Sequence, residues 1–257
     1  ITVSPVFDQP DSITAAPASI SYIPVVQQPV KEVEQTRVGK FLLSAQQRIQ
    51  SINLAKFFAD RPFQVSLIPG IGTQGKLSGQ VVNNVSLNLL GGYTGGSEGL
   101  ELGGLFNINK TRVAGLQAAG IFNIAGGPAS GIQMAGVSNT VLNRTKGLQM
   151  AGVSNFTKGS FTGWQVSGFY NHATDSVAGA QISGAINFAN HDVKGVQISG
   201  GINFAKGEVK GAQIAHAINF ANRDVKGAQI SGAINFGRRT VAGAQISGLM
   251  NYARRLK

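Results

Sequence analysis

The chain has 257 residues, 42% of them apolar, which suffices for one large folded unit. It has no cysteine and carries a net charge of +11, so disulfide frameworks and thiolate chemistry are excluded. No apolar run approaches the roughly 20 residues of a membrane-spanning helix, which excludes a helical inner-membrane protein and leaves a β-barrel open.

In chain order, residues 1–36 hold five of the eight prolines with Gln, Ser and Val and no sustained period. They read as an extended linker. With no signal-peptide pattern and an opening Ile, the chain reads as a mature or trimmed product. Residues 37–60 read as an amphipathic helix, with Val38, Leu42, Ala45, Ile49, Ile52, Ala55 and Phe58 at three- and four-residue steps. Such a helix could cap an end of the fold, enter a lumen or lie on a membrane surface; capping by plain packing is the reading preferred. A β domain then covers 61–257. Its first strands are Phe63–Ile71 and Val85–Tyr93, and a Gly95–Glu98 turn leads into the repeats.

From Gly99 to the end one sixteen-residue unit runs ten times without insertion or deletion, each copy opening on Gly and carrying Asn eight residues later. A fixed period marks a structural unit that leans on its neighbours. Numbered from its Gly, the unit alternates. Even positions are apolar, as in Ala180, Ile182, Ile186 and Phe188; odd positions are small or neutral polar, as in Gln181, Ser183 and Asn187. That period of two predicts a two-faced strand. Ile182, Ile198, Ile214 and Ile230 fall on one face, and the Gln residues beside them on the other. Two columns of amides result: Gln117, Gln133, Gln149, Gln165, Gln181, Gln197, Gln213, Gln229 and Gln245, and Asn123, Asn139, Asn155, Asn171, Asn187, Asn203, Asn219, Asn235 and Asn251. Their expected use is mutual hydrogen bonding as a structural ladder in a packed interior. Positions 12–16 carry turn residues and nineteen of the twenty charges after residue 99; the exception, Glu101, sits where later copies have Gln.

An antiparallel outer-membrane β-barrel accepts such a unit. A spanning strand needs about 9–11 residues of dyad alternation with charge kept to the turns. Phe156, Phe188, Phe204, Phe220, Phe236 and Tyr252 would then form girdles at alternate rims, and small amide-bearing residues would fill an occluded interior. Ten units and two preceding segments give twelve strands. Closure requires a register stagger that identical turns do not supply. The alternative is a β-solenoid, one coil per unit, with even residues inside and amides stacked in ladders; its exposed face would then be almost free of charge. The barrel is the main expectation.

Of the net charge, +10 belongs to the repeat region, where fifteen Lys and Arg face five Asp and Glu in and around the turns. Basic rims of this kind suit membrane lipid headgroups or lipopolysaccharide phosphates. Aromatic residues are not interleaved with the basic ones, which argues against nucleic acid. His172, His191 and His216 occupy different unit positions and suggest no metal ladder, and the sparse carboxylates suggest no acid–base pair. No enzyme, metal or cofactor is expected.

The GxQxxGxxN units, with RPFQVSLIPGIGTQG, NNVSLNLLGGY and LELGGLFNI between Arg61 and Phe106, resemble a group of uncharacterised Bacteroidota outer-membrane or surface proteins. In those a carboxypeptidase-regulatory-like domain often precedes such repeats. The resemblance covers roughly residues 37–257 and implies outer-membrane residence with a barrel-like end domain. The expected function is a structural or accessory component of an envelope complex, in company with lipid and other envelope proteins. A secreted or surface solenoid acting in adhesion or filament assembly is the alternative.

Overall fold

The computed structural model describes residues 32–54 and 57–257; most of the proline-rich segment, 1–31, lies outside the described residues. The repeats form a parallel β-solenoid and not an antiparallel barrel. All 23 strands belong to one sheet system, and each residue pairs with the one sixteen positions on, as Gln181 with Gln197 and Asn187 with Asn203. The rigid period has its cause here. A coil must return every equivalent side chain to the same place above its predecessor.

Each unit is two strands instead of the single one expected, so the count of twelve is also corrected. A seven-residue strand such as Val193–Ser199 turns a corner into a four-residue strand such as Ile202–Ala205. The corner falls at the sixth-position glycine. A Cβ on Gly184 would sit 2.0 Å from the carbonyl oxygen of Gly168, so a side chain at this corner requires the backbone to shift, and His216 is the one departure from glycine at the sixth position of the repeats. The opening glycine is needed for a second reason: Gly179 has φ +127°, in the left-handed region that a side chain disfavours.

Ile198 and Gln197 do lie on opposite faces, but the sense of the faces is the reverse of that expected for a solenoid. Gln197 is 0% exposed and Ile198 is 38% exposed. Gln, Ser and Asn at positions 3, 5 and 9 point inward together with Ala at 11 and Val at 15. Ala173, Ala189, Ala205 and Ala221 pack against Val177, Val193, Val209, Val225 and Val241 to form the apolar part of the core.

The predicted helix is two. Arg37–Leu42 (α1) ends at Leu43, and Ala45–Asn53 (α2) restarts behind a capping box between Ser44 and Gln47. A single-turn 3₁₀ helix, Val33–Gln35, precedes them. The segment lies against the outer flank of the first coils. Val33 and Leu43 form a buried cluster with Tyr93, Phe106, Ile108 and Ile124, and Val38 and Leu42 pack against it. Ile49 and Ile52, expected on the packed side, are exposed, whereas Gln47 and Ser51 are buried. Polar latching decides which way α2 faces. The Tyr93 hydroxyl and Ser51 Oγ both donate to Glu34 Oε1, and Lys110 Nζ donates to the Ser51 carbonyl at 2.7 Å. Burial and the Glu34 carboxylate push the Tyr93 phenol far up, so it stays a donor at any ordinary pH.

At the amino-terminal edge Ala59–Ile68 is the first strand of the stack, parallel to Val81–Asn88. The short strand Ile71–Gly72 folds back on it antiparallel. Thr73 N–H donates to the Val65 carbonyl and Gln74 Nε2 to that of Phe63, so this edge is partly occupied by the chain itself. None of the described helices is long and apolar enough to cross a membrane.

Candidate interaction surfaces

Both amide columns lie inside the solenoid. Gln213 Nε2 donates to Gln197 Oε1 at 2.8 Å and Gln197 Nε2 to Gln181 Oε1 at 2.8 Å, so the glutamines donate toward the amino end. The asparagines run the other way. Asn187 Nδ2 donates to Asn203 Oδ1 at 3.0 Å, and also to the Gln181 carbonyl at 3.0 Å and the Ile198 carbonyl at 2.6 Å. From Gln117 to Gln229 and Asn123 to Asn235 these side chains are 0–3% exposed, so their polar groups engage one another and are not offered to a ligand. Gln245 and Asn251, in the last coil, remain accessible.

The glutamine ladder ends on a carboxyl. Gln117 Nε2 donates to Glu101 Oε2 at 2.9 Å, while Asn88 Nδ2 lies 3.4 Å from Oε1 and 2.9 Å from Asn107 Oδ1. Glu101 is fully buried. Burial lifts its pKa to about 7, against the opposing effect of the amide donors of Asn109, Gln117 and Asn88.

The aromatic residues expected as two girdles form instead one column on the outer face of the short strands, because parallel coils stack equivalent positions and an antiparallel meander would have split them. Phe188, Phe204, Phe220, Phe236 and Tyr252 stack with centroids 4.6–5.1 Å apart and planes within 10°. Phe156 joins through His172, which meets Phe156 and Phe188 edge-on; burial and the charge of Lys206 hold the His172 imidazole below its usual pKa. Ring faces are covered by neighbouring rings, so the column presents edges. Beside it run Ile186, Ile202, Ile218 and Ile234, half-buried.

On the longer strands the fourth-position side chains point outward. In the amino-terminal coils Leu102, Met134, Met150 and Val166 border an open apolar groove of about 850 Å³ whose floor is the corner glycines. Of the other histidines, His191 lies 3.4 Å from Asp175 and His216 is exposed at a corner. Among the described residues no three His, Cys, Asp or Glu side chains converge as a metal site.

No family model, curated protein or solved structure matches the chain. Its surfaces must therefore be read from their own chemistry. The interior is closed by its ladders, and what remains for function is the outside. Two broad faces carry regular apolar ridges, and one edge, at positions 12–14, carries the charged turns.

Proposed function

We propose that the chain is a non-enzymatic surface scaffold, a β-solenoid that acts in adhesion by laying its regular outer ridges against a partner. The observation that carries this reading is the inversion of the repeat. Amides occupy the interior, so Ile and Phe side chains that would ordinarily make a core stand outside in straight columns. Exposed apolar patches of this extent mark contact surfaces. The covered flank supports it. Where Val33, Leu43 and their neighbours lie on Tyr93, Ile108 and Ile124, the same outer positions are fully buried, so this face accepts an apolar partner.

Between adhesion and filament assembly, the occupied outer edge of Ala59–Ile68 favours adhesion, since a second copy stacking there would have to displace Ile71–Gln74. The proposed setting is the outer surface of a Gram-negative cell, with membrane lipid or lipopolysaccharide and other envelope proteins as partners. Fractionation tests it. A surface solenoid leaves the membrane pellet in alkaline carbonate and runs as a discrete particle without detergent. Retention in the pellet, together with a need for detergent in solution, would return the protein to the integral-barrel class and refute the proposal.

A further inference from the structure

The charged turns are not uniform along the stack. The coils opening at 163, 179 and 195 carry mixed signs at positions 12–14: Asp175, His191 and Asp192, then Lys206 and Glu208. In the last three coils the same positions hold Arg223, Arg238, Arg239, Arg254 and Arg255 with Asp224 alone opposing them. Asp224 is committed to the fold: its Oδ1 accepts the Thr240 backbone N–H at 2.9 Å, as Asp192 Oδ1 accepts that of Glu208 at 2.8 Å one repeat pair earlier. The nearest other carboxylate on this edge, Glu208, binds Lys210 and Lys226. Among the described residues none of the five arginines forms an ion pair.

They converge on one place. Arg223, Arg238, Arg239 and Arg254 line a cleft of about 350 Å³ with Asn222, whose Oδ1 accepts from Arg238 Nη1 at 2.9 Å. A second cleft of about 440 Å³, lined by Arg239, Arg254 and Arg255 with Asp224 and Thr240, adjoins it. The strand register shifts by one residue between Gly237 and Thr240, which sets Arg238 and Arg239 against Arg254 alone. Bulges of this kind re-aim side chains beside functional sites. Several guanidinium forks on one cleft suit an oxyanion with more than one charge, and phosphate geometry in particular.

The apolar column begins where the arginines end. Positions 8, 10 and 12 share the outer face, so Ile234, Phe236 and Arg238 form one row, and Met250, Tyr252 and Arg254 the next. Such a row spans about 13 Å from cation to aliphatic tip. We infer that this corner of the stack binds a phosphorylated amphiphile, its phosphate held in the arginine cleft and its acyl chain lying along the Phe and Ile ridges. Charge complementarity selects the anion, and the continuous apolar row selects an amphiphile over a free phosphate. The assignment rests on reading the outer side chains as the contact surface of the scaffold. The purified chain decides it without reference to where the protein resides in a cell.

The test is co-sedimentation of the full chain with phosphatidylcholine vesicles, with and without phosphatidic acid. The protein is expected to bind only the phosphatidic-acid vesicles. Replacing three arginines (Arg238→Ser, Arg239→Ser, Arg254→Ser) should weaken binding on the order of a hundredfold. Removing three lysines elsewhere on the stack (Lys146→Ser, Lys158→Ser, Lys194→Ser) should weaken it far less. Phe236→Ser should weaken vesicle binding while leaving the affinity for soluble tripolyphosphate unchanged. Equal losses in the two triple variants would show diffuse attraction and overturn the site. Unchanged vesicle binding by Phe236→Ser, with displacement by tripolyphosphate, would reduce it to an anion site and overturn the amphiphile. Failure here with a carbonate-extractable solenoid would leave the scaffold reading standing.

Discussion

Glu101 stands where the nine later coils have glutamine, and its replacement by Gln offers a direct test of the buried ladder. In the folded chain its carboxyl is fully buried and its pKa is raised from 4.5 to about 7. An acid whose folded pKa lies above its unfolded value binds a proton more tightly when folded. Its stabilising contribution is therefore complete below pH 4.5 and is lost as pH rises through 7. The difference of about 2.5 pKa units corresponds to about 3 kcal/mol. Glu101→Gln keeps the shape and the acceptor that Gln117 Nε2 uses, and removes the titration.

The stability of Glu101→Gln relative to the parent should thus be flat below pH 4.5 and climb by about 3 kcal/mol by pH 8. Asp224 and Glu208 titrate in both proteins and cancel in the difference. The new amide N–H₂ can meet Asn88 Nδ2, donor against donor, but that adds an offset without slope. Because solenoid coils can open separately, amide hydrogen exchange of the strands Gly96–Gly103 and Val113–Ala119 is the suitable readout, with denaturant unfolding as the global check. A difference that does not change between pH 4 and pH 8 would show that Glu101 is solvated, and the inward placement of the third position would be refuted with it.

Two further outcomes follow from the same geometry. Asn203→Ala removes three donated bonds, to the carbonyls of Gln197 and Ile214 and to Asn219 Oδ1, and leaves Asn219 Oδ1 without its ladder donor, while Asn187 Nδ2 keeps the Gln181 and Ile198 carbonyls; chemical denaturation should register a loss of about 3 kcal/mol, and a loss below about 0.5 kcal/mol would contradict the ladder. Tyr93→Phe withdraws a donor from the buried Glu34; exchange of amides in α2 should accelerate by an amount equivalent to about 1–3 kcal/mol while the coils beyond residue 131 stay unchanged.

The period, the two faces and the gathering of charge at positions 12–16 were all legible in the sequence, but those positions are not all turn: Lys194, Lys210, Lys226, Arg238 and Arg239 lie in strands. Which face is inside was legible too, but in a place easily discounted. Lys194, Lys210 and Lys226 at position 16 have the same parity as Ile198, Ile214 and Ile230 at position 4 and share their strands. So does the outward Arg238 with Phe236. Val193 and Val209, at odd position 15, share parity with the glutamines. A strand that places Lys and Ile on one side and Val and Gln on the other points its Lys side outward, however polar the Gln. Assigning positions 12–16 wholesale to turns hid this signal. The choice between barrel and solenoid was harder, since period-two alternation is common to both. The corner glycine was the discriminator, and its meaning lies in the approach of Gly184 to the Gly168 carbonyl, a contact between residues sixteen apart. The splitting of the helix at Ser44 was readable in its capping box; the orientation of α2 was not, because it depends on Tyr93 and Lys110, far along the chain.

The interior and exterior of the coil answer to different constraints, and this shapes where function can reside. Gln and Asn stand six residues apart and feed ladders of opposite polarity, so one inserted residue between them would unpair both columns and reverse every side chain beyond it. Outer positions carry no such restriction, and they drift. Position 2 runs Leu116, Ile132, Leu148 and Trp164 in one half of the stack, then Ala180, Val196, Ala212 and Ala228 in the other. Position 7 drifts in step, from Leu105, Ile121, Val137, Val153 and Phe169 to Ala185, Gly201, Ala217 and Ala233. Bulk moves off the long strands and the corner just where the stacked phenylalanines take over the short-strand face and the arginines collect on the edge. One backbone thereby presents two different surfaces in series, an aliphatic groove near the helical cover and an aromatic ridge beside a cationic cleft at the far end. Surfaces of different chemistry are thus carried along a single stack without any change in the sixteen-residue frame.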